Sequence, residues 1–129
     1  MSVNITPKVV ARVAARLTGD VFPIEEKDYK VYDLEKKAKN AIRSFLKTLE
    51  PHGFFFNIQQ GIQSRAGISD ILGTYHGQFC AFEIKSAKGS PSRIQINFIE
   101  KIKAAGGIAG TAKSVADVKK LFNDFHGIK

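Results

Sequence analysis

Cysteine, tryptophan and long apolar runs are scarce in this sequence of 129 residues, and these scarcities exclude several classes of protein. Cys80 is the single cysteine, so an intrachain disulfide and a four-cysteine zinc site are both excluded. No apolar run approaches the roughly 20 residues that span a bilayer. Residues 1–30 also lack the apolar block and the small-residue cleavage site of a signal peptide. We therefore expect a cytoplasmic protein with no membrane partner.

Negative charge is also in short supply. The chain has 12 Asp and Glu against 20 Lys and Arg, which leaves a formal net charge of +8. Such a surplus on a small chain favours a polyanionic partner, with nucleic acid first and an acidic membrane second. The length matches a single domain of roughly 100–150 residues. We divide the chain into an N-terminal helical extension, residues 1–30, and one domain, residues 31–129.

The extension is expected to hold a helix over residues 6–18, because Pro7 suits a first helical position and apolar residues recur at helical spacing. One face of this helix is basic and carries Lys8, Arg12 and Arg16. We interpret it as a solvated face, with contact to a phosphate backbone as the alternative.

After the extension, the apolar periodicity predicts the order α-β-β-β-α-β-α and an α/β fold class. The predicted elements are a helix from Asp33, as N-cap, to about Glu50; strands at 54–58, 68–75 and 78–85; a helix opened by Ser90-Pro91 and ended by Gly106-Gly107; a strand at 108–113; and a helix capped by Ser114 that runs to about Phe125. The segment from Gly61 to Gly67 is predicted to be a loop.

Two acidic residues meet on the central hairpin if His76-Gly77 forms its two-residue turn. Counting back from that turn sets Asp70 opposite Glu83, and directly opposed side chains share a face with Cβ atoms about 4.5–5.5 Å apart. Lys85 emerges on the same face because side chains alternate along a strand. A slip of one residue in the turn would send Asp70 to the other face.

A charged cluster on a half-buried sheet face is unfavourable unless its members pair or bind an ion. The leading interpretation is a divalent cation, because two carboxylates, waters and a substrate phosphate suit Mg²⁺, for which Mn²⁺ would substitute. Lys85 would then orient the attacking water or stabilise the pentavalent phosphorus. The alternative is a structural ion pair between Lys85 and one of the acids.

These residues and their neighbours resemble the VRR-NUC family of virus-type replication-repair nucleases, within the PD-(D/E)XK superfamily. The resemblance covers about residues 33–115 and is carried by Arg65-Ala66-Gly67-Ile68-Ser69-Asp70, Phe82-Glu83-Ile84-Lys85, Gln95 and Ala104-Ala105-Gly106-Gly107. Ser69 stands where the family usually has Pro, a departure that we expect to have little effect on the chemistry. The resemblance implies a restriction-endonuclease-like core with a central mixed β-sheet flanked by helices, and a metal-dependent DNA endonuclease.

The same resemblance implies roles for individual residues. It implies that Asp70 and Glu83 are catalytic carboxylates that bind the metal, with the Ile84 backbone carbonyl as a further ligand. It also implies that Lys85 is the catalytic lysine and that Gln95 is the family's helix glutamine at the catalytic site. Gln95 also lies on the apolar stripe of its helix, where a polar group requires a partner; a hydrogen bond to backbone is the alternative. Glu35 is the candidate for the acid that the family places in its first core helix. An acid in a first turn is, however, favoured by the helix dipole without any catalytic role.

Polar residues beside the motif strands are candidates for holding DNA backbone phosphates. They are Ser64, Arg65, Lys88, Ser92 and Arg93. We prefer the two arginines, and solvated surface is the alternative for each of the five. The histidines show no zinc pattern, and we interpret them as structural or exposed: His52, His76 and His126.

Small stand-alone members of the family resemble Holliday junction resolvases and act as homodimers. The resemblance therefore implies branched DNA as substrate, in repair, recombination or phage replication, and a homodimer. The aromatic run Phe54-Phe55-Phe56 and the amphipathic first helix are candidate dimer surfaces, with core packing as the alternative. The rival functions are a non-catalytic DNA-binding module and a restriction or nicking endonuclease, which usually needs extra segments to read bases. Charge and motif leave RNA open as a substrate.

Overall fold

The computed structural model describes residues 21–59 and 67–125. Its helices are α1 (Glu35–Lys47), α2 (Arg93–Ala104) and α3 (Val115–Asp124), and its strands are β1 (Gly53–Asn57), β2 (Ile71–Tyr75), β3 (Gln78–Ile84) and β4 (Ile108–Ala112). A short 3₁₀ helix, Glu26–Tyr29, precedes α1. The predicted order α-β-β-β-α-β-α and the α/β class are confirmed. The helix predicted over residues 6–18 lies outside the described residues.

A four-stranded sheet in the order β1-β2-β3-β4 forms the centre of the domain. The first three strands are antiparallel, and β3 pairs with β4 in parallel through the crossover helix α2, so the predicted mixed sheet is confirmed. Helices α1 and α3 pack on one face with the larger core cluster, and α2 packs on the other face. Within the described ranges, no helix has the length and apolar composition that crossing a membrane requires.

The hairpin between β2 and β3 has the predicted register. His76 and Gly77 both adopt positive φ, 48° and 81°, as a two-residue type I′ turn requires. Tyr75 pairs with Gln78, and the pairing continues without a slip to the start of β2. Continued by one residue, the same register brings Asp70 to the position opposite Glu83, on the sheet face that α2 covers.

The start of α1 differs from the prediction. The N-cap residue is Leu34, which has an extended backbone and no side-chain cap. Asp33 lies one residue too early to cap and instead forms an exposed ion pair with Lys37, one turn further on, at 3.0 Å. The helix also ends at Lys47, earlier than predicted.

The start of α2 also differs, because a different serine provides its cap. The hydroxyl of Ser92 accepts a hydrogen bond from the Gln95 backbone N–H, so the helix begins at Arg93 instead of at Ser90-Pro91. The cap of α3 is as predicted, with Ser114 accepting from the backbone N–H three residues later.

The segment 22–29, which the sequence analysis placed in the N-terminal extension, packs on the body of the domain. The backbone of Phe22 exchanges hydrogen bonds of 2.8 and 2.9 Å with the side-chain amide of Asn123 in α3. Asp28 is buried and pairs with Lys119 at 2.6 Å. The ring of Phe22 also contacts three core rings: Phe45, Tyr75 and Phe122. A domain boundary at residue 30 stays a prediction.

Candidate active site

A pocket of about 210 Å³ opens on the face of the sheet that carries α2, next to the end of the β2–β3 hairpin. It brings together the start of α1, the residues before β2, the end of β3 and the start of α2. Its lining includes six predicted site residues and consists of Glu35, Gly67, Ile68, Asp70, Glu83, Lys85, Ser92, Ile94 and Gln95. A larger groove, of about 470 Å³, lies between α1 and β1, but none of the predicted site residues lines it.

Asp70 is held at the point where β2 begins. Its backbone carbonyl accepts a hydrogen bond from Ile58 at 2.8 Å. Its Oδ2 accepts from the backbone N–H of Ile84 at 2.8 Å, which fixes the carboxylate against β3. Its Oδ1 lies 3.2 Å from Nζ of Lys39. One carboxylate oxygen of Asp70 is therefore anchored by the backbone, and the other faces the ammonium group of Lys39.

Glu83 is almost entirely buried, with 2% of its side chain exposed. Its Oε1 accepts a hydrogen bond of 2.7 Å from Nε2 of Gln95 and lies 3.3 Å from Nζ of Lys85. Its Oε2 is buried and has no hydrogen-bond partner among the described residues. Burial, followed by the charge of Asp70, raises the pKa of Glu83 to about 7, and Lys85 offsets only part of this.

Gln95 makes both of the contacts that the sequence left open, one with a polar group of the pocket and one with the backbone. Its Oε1 accepts from the backbone N–H of Ser92 at 2.8 Å, which completes a capping box at the start of α2. Its Nε2 donates to Glu83. The same side chain therefore ties the first turn of α2 to a buried carboxylate.

Two lysines lie between the acids of the site, Lys85 in the lining of the pocket and Lys39 beside it. Lys85 lies 3.3 Å from Glu83 and 3.8 Å from Oε1 of Glu35. Lys39, which the sequence analysis did not single out, lies 3.2 Å from Asp70 and 3.7 Å from Oε2 of Glu35. Its one sequence signal is its position four residues after Glu35, on the same side of α1.

Three of the five residues predicted to contact DNA lie within the described ranges. Ser92 lines the pocket and caps α2. Lys88 and Arg93 are exposed, close to the start of that helix. Ser64 and Arg65 lie outside the described residues, as does His126. His52 and His76 are exposed and stack with ring centroids 4.9 Å apart, at the hairpin end of the sheet.

The aromatic run divides between core and surface. Phe55 packs against the larger core cluster, whereas Phe54 and Phe56 are 60% and 49% exposed. Ser69, at the position of the family's proline, is fully buried, and its hydroxyl has no partner among the described residues.

The donor set fits a hard divalent cation that keeps most of its water. No group of three His, Cys, Asp or Glu side chains within residues 21–59 and 67–125 is placed to hold a metal. Glu35 contacts the two lysines, and its role as a metal ligand stays a prediction. Asp70 and Glu83 nevertheless repel each other, and Glu83 presents a buried oxygen that has no donor in the part of the chain that the structure describes. Mg²⁺ prefers such a site, with one or two carboxylates completed by water and substrate phosphate.

Comparison with known proteins supports the fold. A solved structure described as a VRR_NUC domain superposes with a TM-score of 0.57 at 19% sequence identity, over 71% of this chain and 97% of that chain. No family model matches the sequence, and no curated protein matches it. The predicted resemblance to a VRR-NUC domain is therefore confirmed at the level of the fold.

Proposed function

We propose that this protein is a metal-dependent nuclease that hydrolyses phosphodiester bonds in DNA. The observation that carries the proposal is the acid pair itself: Asp70 and Glu83 meet in a pocket beside Lys85, and one buried oxygen of Glu83 has no donor among the described residues. A fold shared with a VRR_NUC domain and a net charge of +8 support the same substrate class.

Asp70, Glu83 and the Ile84 backbone carbonyl would hold Mg²⁺ or Mn²⁺. Such an ion, when bound, lowers the pKa of a bound water and neutralises charge at a phosphate. The protein's part is to keep the donors in place. The Ile84 N–H fixes one oxygen of Asp70, and the Gln95 amide fixes one oxygen of Glu83. The ion would then bind the remaining oxygen of each acid, Oε2 of Glu83 and Oδ1 of Asp70, the second of which Lys39 contacts at 3.2 Å.

Lys85 would act on the reacting atoms. Its ammonium group lines the pocket beside Glu83, where it can hydrogen-bond the attacking water or the oxygens of the phosphate as their charge increases. The start of α2 opens into the same pocket through Ser92, and helix N-termini favour phosphate groups. Exposed Lys88 and Arg93 near that helix start would bind neighbouring phosphates, together with Ser64 and Arg65.

The preferred substrate in this proposal is branched DNA, and the active form is a homodimer. Both follow from the resemblance to small stand-alone members of the family, which cut two strands with two sites. Exposed Phe54 and Phe56 on edge strand β1 are suitable for a contact between subunits. The biological role would lie in DNA repair, recombination or phage replication.

The test is cleavage of labelled four-way junction, flap, duplex and single-stranded DNA, and of single-stranded RNA, with Mg²⁺, Mn²⁺ or EDTA. Asp70→Ala and Lys85→Met should each lower the rate by at least about 100-fold, because each removes charge stabilisation at the reacting phosphate. Asp33→Asn is the matched control, since Asp33 is an exposed acid paired with Lys37 and does not line the pocket. Normal cleavage by Asp70→Ala would refute the site assignment.

A non-catalytic DNA-binding module is the second candidate, because Lys39 and Lys85 already lie against the two acids. Such a module would cut none of the substrates and would bind junction DNA equally well with and without metal. A restriction or nicking enzyme would instead give discrete, sequence-dependent fragments from linear duplex. Light scattering of the purified protein tests the dimer separately.

A further inference from the structure

We infer that Lys39 is a positioning residue that competes with the divalent cation for Asp70: its ammonium group holds Oδ1 of Asp70 in the metal-free protein and is displaced when the ion binds. The inference rests on the proposed function, because it concerns the same acid pair. It adds a residue that neither the motif nor the sequence pattern identified.

The two oxygens of Asp70 are in different situations. Oδ2 accepts from the backbone N–H of Ile84, a donor that the strand holds in place. Oδ1 is 3.2 Å from the ammonium of Lys39, a group at the end of a flexible side chain. The anchored oxygen cannot turn away without losing its hydrogen bond. A cation that binds Asp70 through Oδ1 must therefore take the place of Lys39 or share that oxygen with it.

Lys39 has a second acidic partner, Glu35, that it can keep when it leaves Asp70. It lies one turn after Glu35 on α1, and Oε2 of Glu35 is 3.7 Å from its ammonium. When the ion takes Asp70, Lys39 keeps this partner at the rim of the pocket. There its charge can meet a substrate phosphate. The exchange would move the positive charge of Lys39 away from Asp70 and leave it beside Glu35.

The remaining site lysine does not offer the same exchange. Lys85 is 16% exposed and its closest acid is Glu83, whose Oε1 also receives the Gln95 hydrogen bond. Oε2 of Glu83 lacks a donor within the described residues, so an ion can bind Glu83 without displacing Lys85. Lys39, 31% exposed, is thus the lysine that occupies Oδ1 of Asp70, the oxygen that would bind the metal ion.

The experiment measures Mg²⁺ and Mn²⁺ affinity by titration calorimetry, without DNA, for wild type and Lys39→Met. Loss of a competing ammonium should tighten the Kd of Mg²⁺ about fivefold, which is about 1 kcal/mol, the strength of a partly exposed ion pair. Lys37→Met is the matched control, because Lys37 lies on the same helix and pairs with exposed Asp33. It should leave the Kd unchanged.

A second readout is the melting temperature. Metal-free Lys39→Met should melt lower than wild type, because Asp70 and Glu83 lose a compensating charge, and should gain more from saturating Mg²⁺. Lys39→Gln gives the same comparison if the methionine variant folds poorly. Wild-type or weaker Mg²⁺ affinity in both variants would overturn the inference while leaving the nuclease proposal intact. A wild-type protein that binds neither ion overturns both.

Discussion

Glu83→Gln should remove a pH dependence of folding that the wild-type protein has in the absence of metal. Burial and the Asp70 charge raise the pKa of Glu83 from 4.5 to about 7 in the folded state. The folded chain therefore binds this proton more tightly than the unfolded chain. The associated stability is complete below pH 4.5 and is lost as the pH rises through 7.

The magnitude follows from the shift and the burial. At about 1.4 kcal/mol per pKa unit, a shift from 4.5 to about 7 corresponds to about 3 kcal/mol. Little of this is reduced by solvent screening, because only 2% of the Glu83 side chain is exposed. The free energy of unfolding of wild type, relative to that of Glu83→Gln, should fall by this amount between pH 4 and pH 8.

The assay is urea unfolding in EDTA across that range for both proteins. Taking the difference cancels the contributions of the ionisable groups that both proteins share. Glu100→Gln serves as a control, because Glu100 is exposed and this variant keeps Glu83, so its stability should fall with pH as that of wild type does. Asp70→Asn should reduce the fall, since it removes the second cause of the shift. A difference that is flat, or that rises with pH, would refute the reasoning.

Two further predictions concern the fold around the site. Gly73→Ala should lower the free energy of unfolding in urea by more than about 2 kcal/mol, because a Cβ would clash with the Phe54 carbonyl oxygen of the neighbouring strand. A change below about 0.5 kcal/mol would contradict this packing. Lys119→Met should lower the free energy of unfolding by about 3 kcal/mol in the same urea assay, because it leaves the Asp28 carboxylate buried without its partner. Lys103→Met, at an exposed pair, is its control, and equal stability of the two variants would mean that segment 22–29 does not depend on this ion pair.

The hairpin was predicted correctly because turn type and strand alternation depend only on residues close in the chain. A His-Gly turn sets the register, and strict alternation along β3 then puts Glu83 and Lys85 on one face. Both rules act over a few residues, so the sequence was sufficient to predict them. Helix starts depend on which of several neighbouring polar side chains reaches a backbone N–H. The prediction therefore chose Asp33 where Leu34 stands, and Ser90 where Ser92 caps.

The sequence by itself determined the order of the helices and strands, the register of the hairpin, and the placement of Asp70, Glu83 and Lys85 on one face of the sheet. The tertiary structure decided which other groups join them. Lys39, which the sequence did not indicate, reaches Asp70 only because α1 packs beside the end of the hairpin. Gln95 was predicted as a site residue, but its contact with Glu83 depends on the packing of α2 against the sheet. The burial that raises the pKa of Glu83 has the same origin. The physical reason is that turns and strand alternation are set by neighbours in the chain, whereas desolvation and charge pairing depend on elements that are distant in the chain.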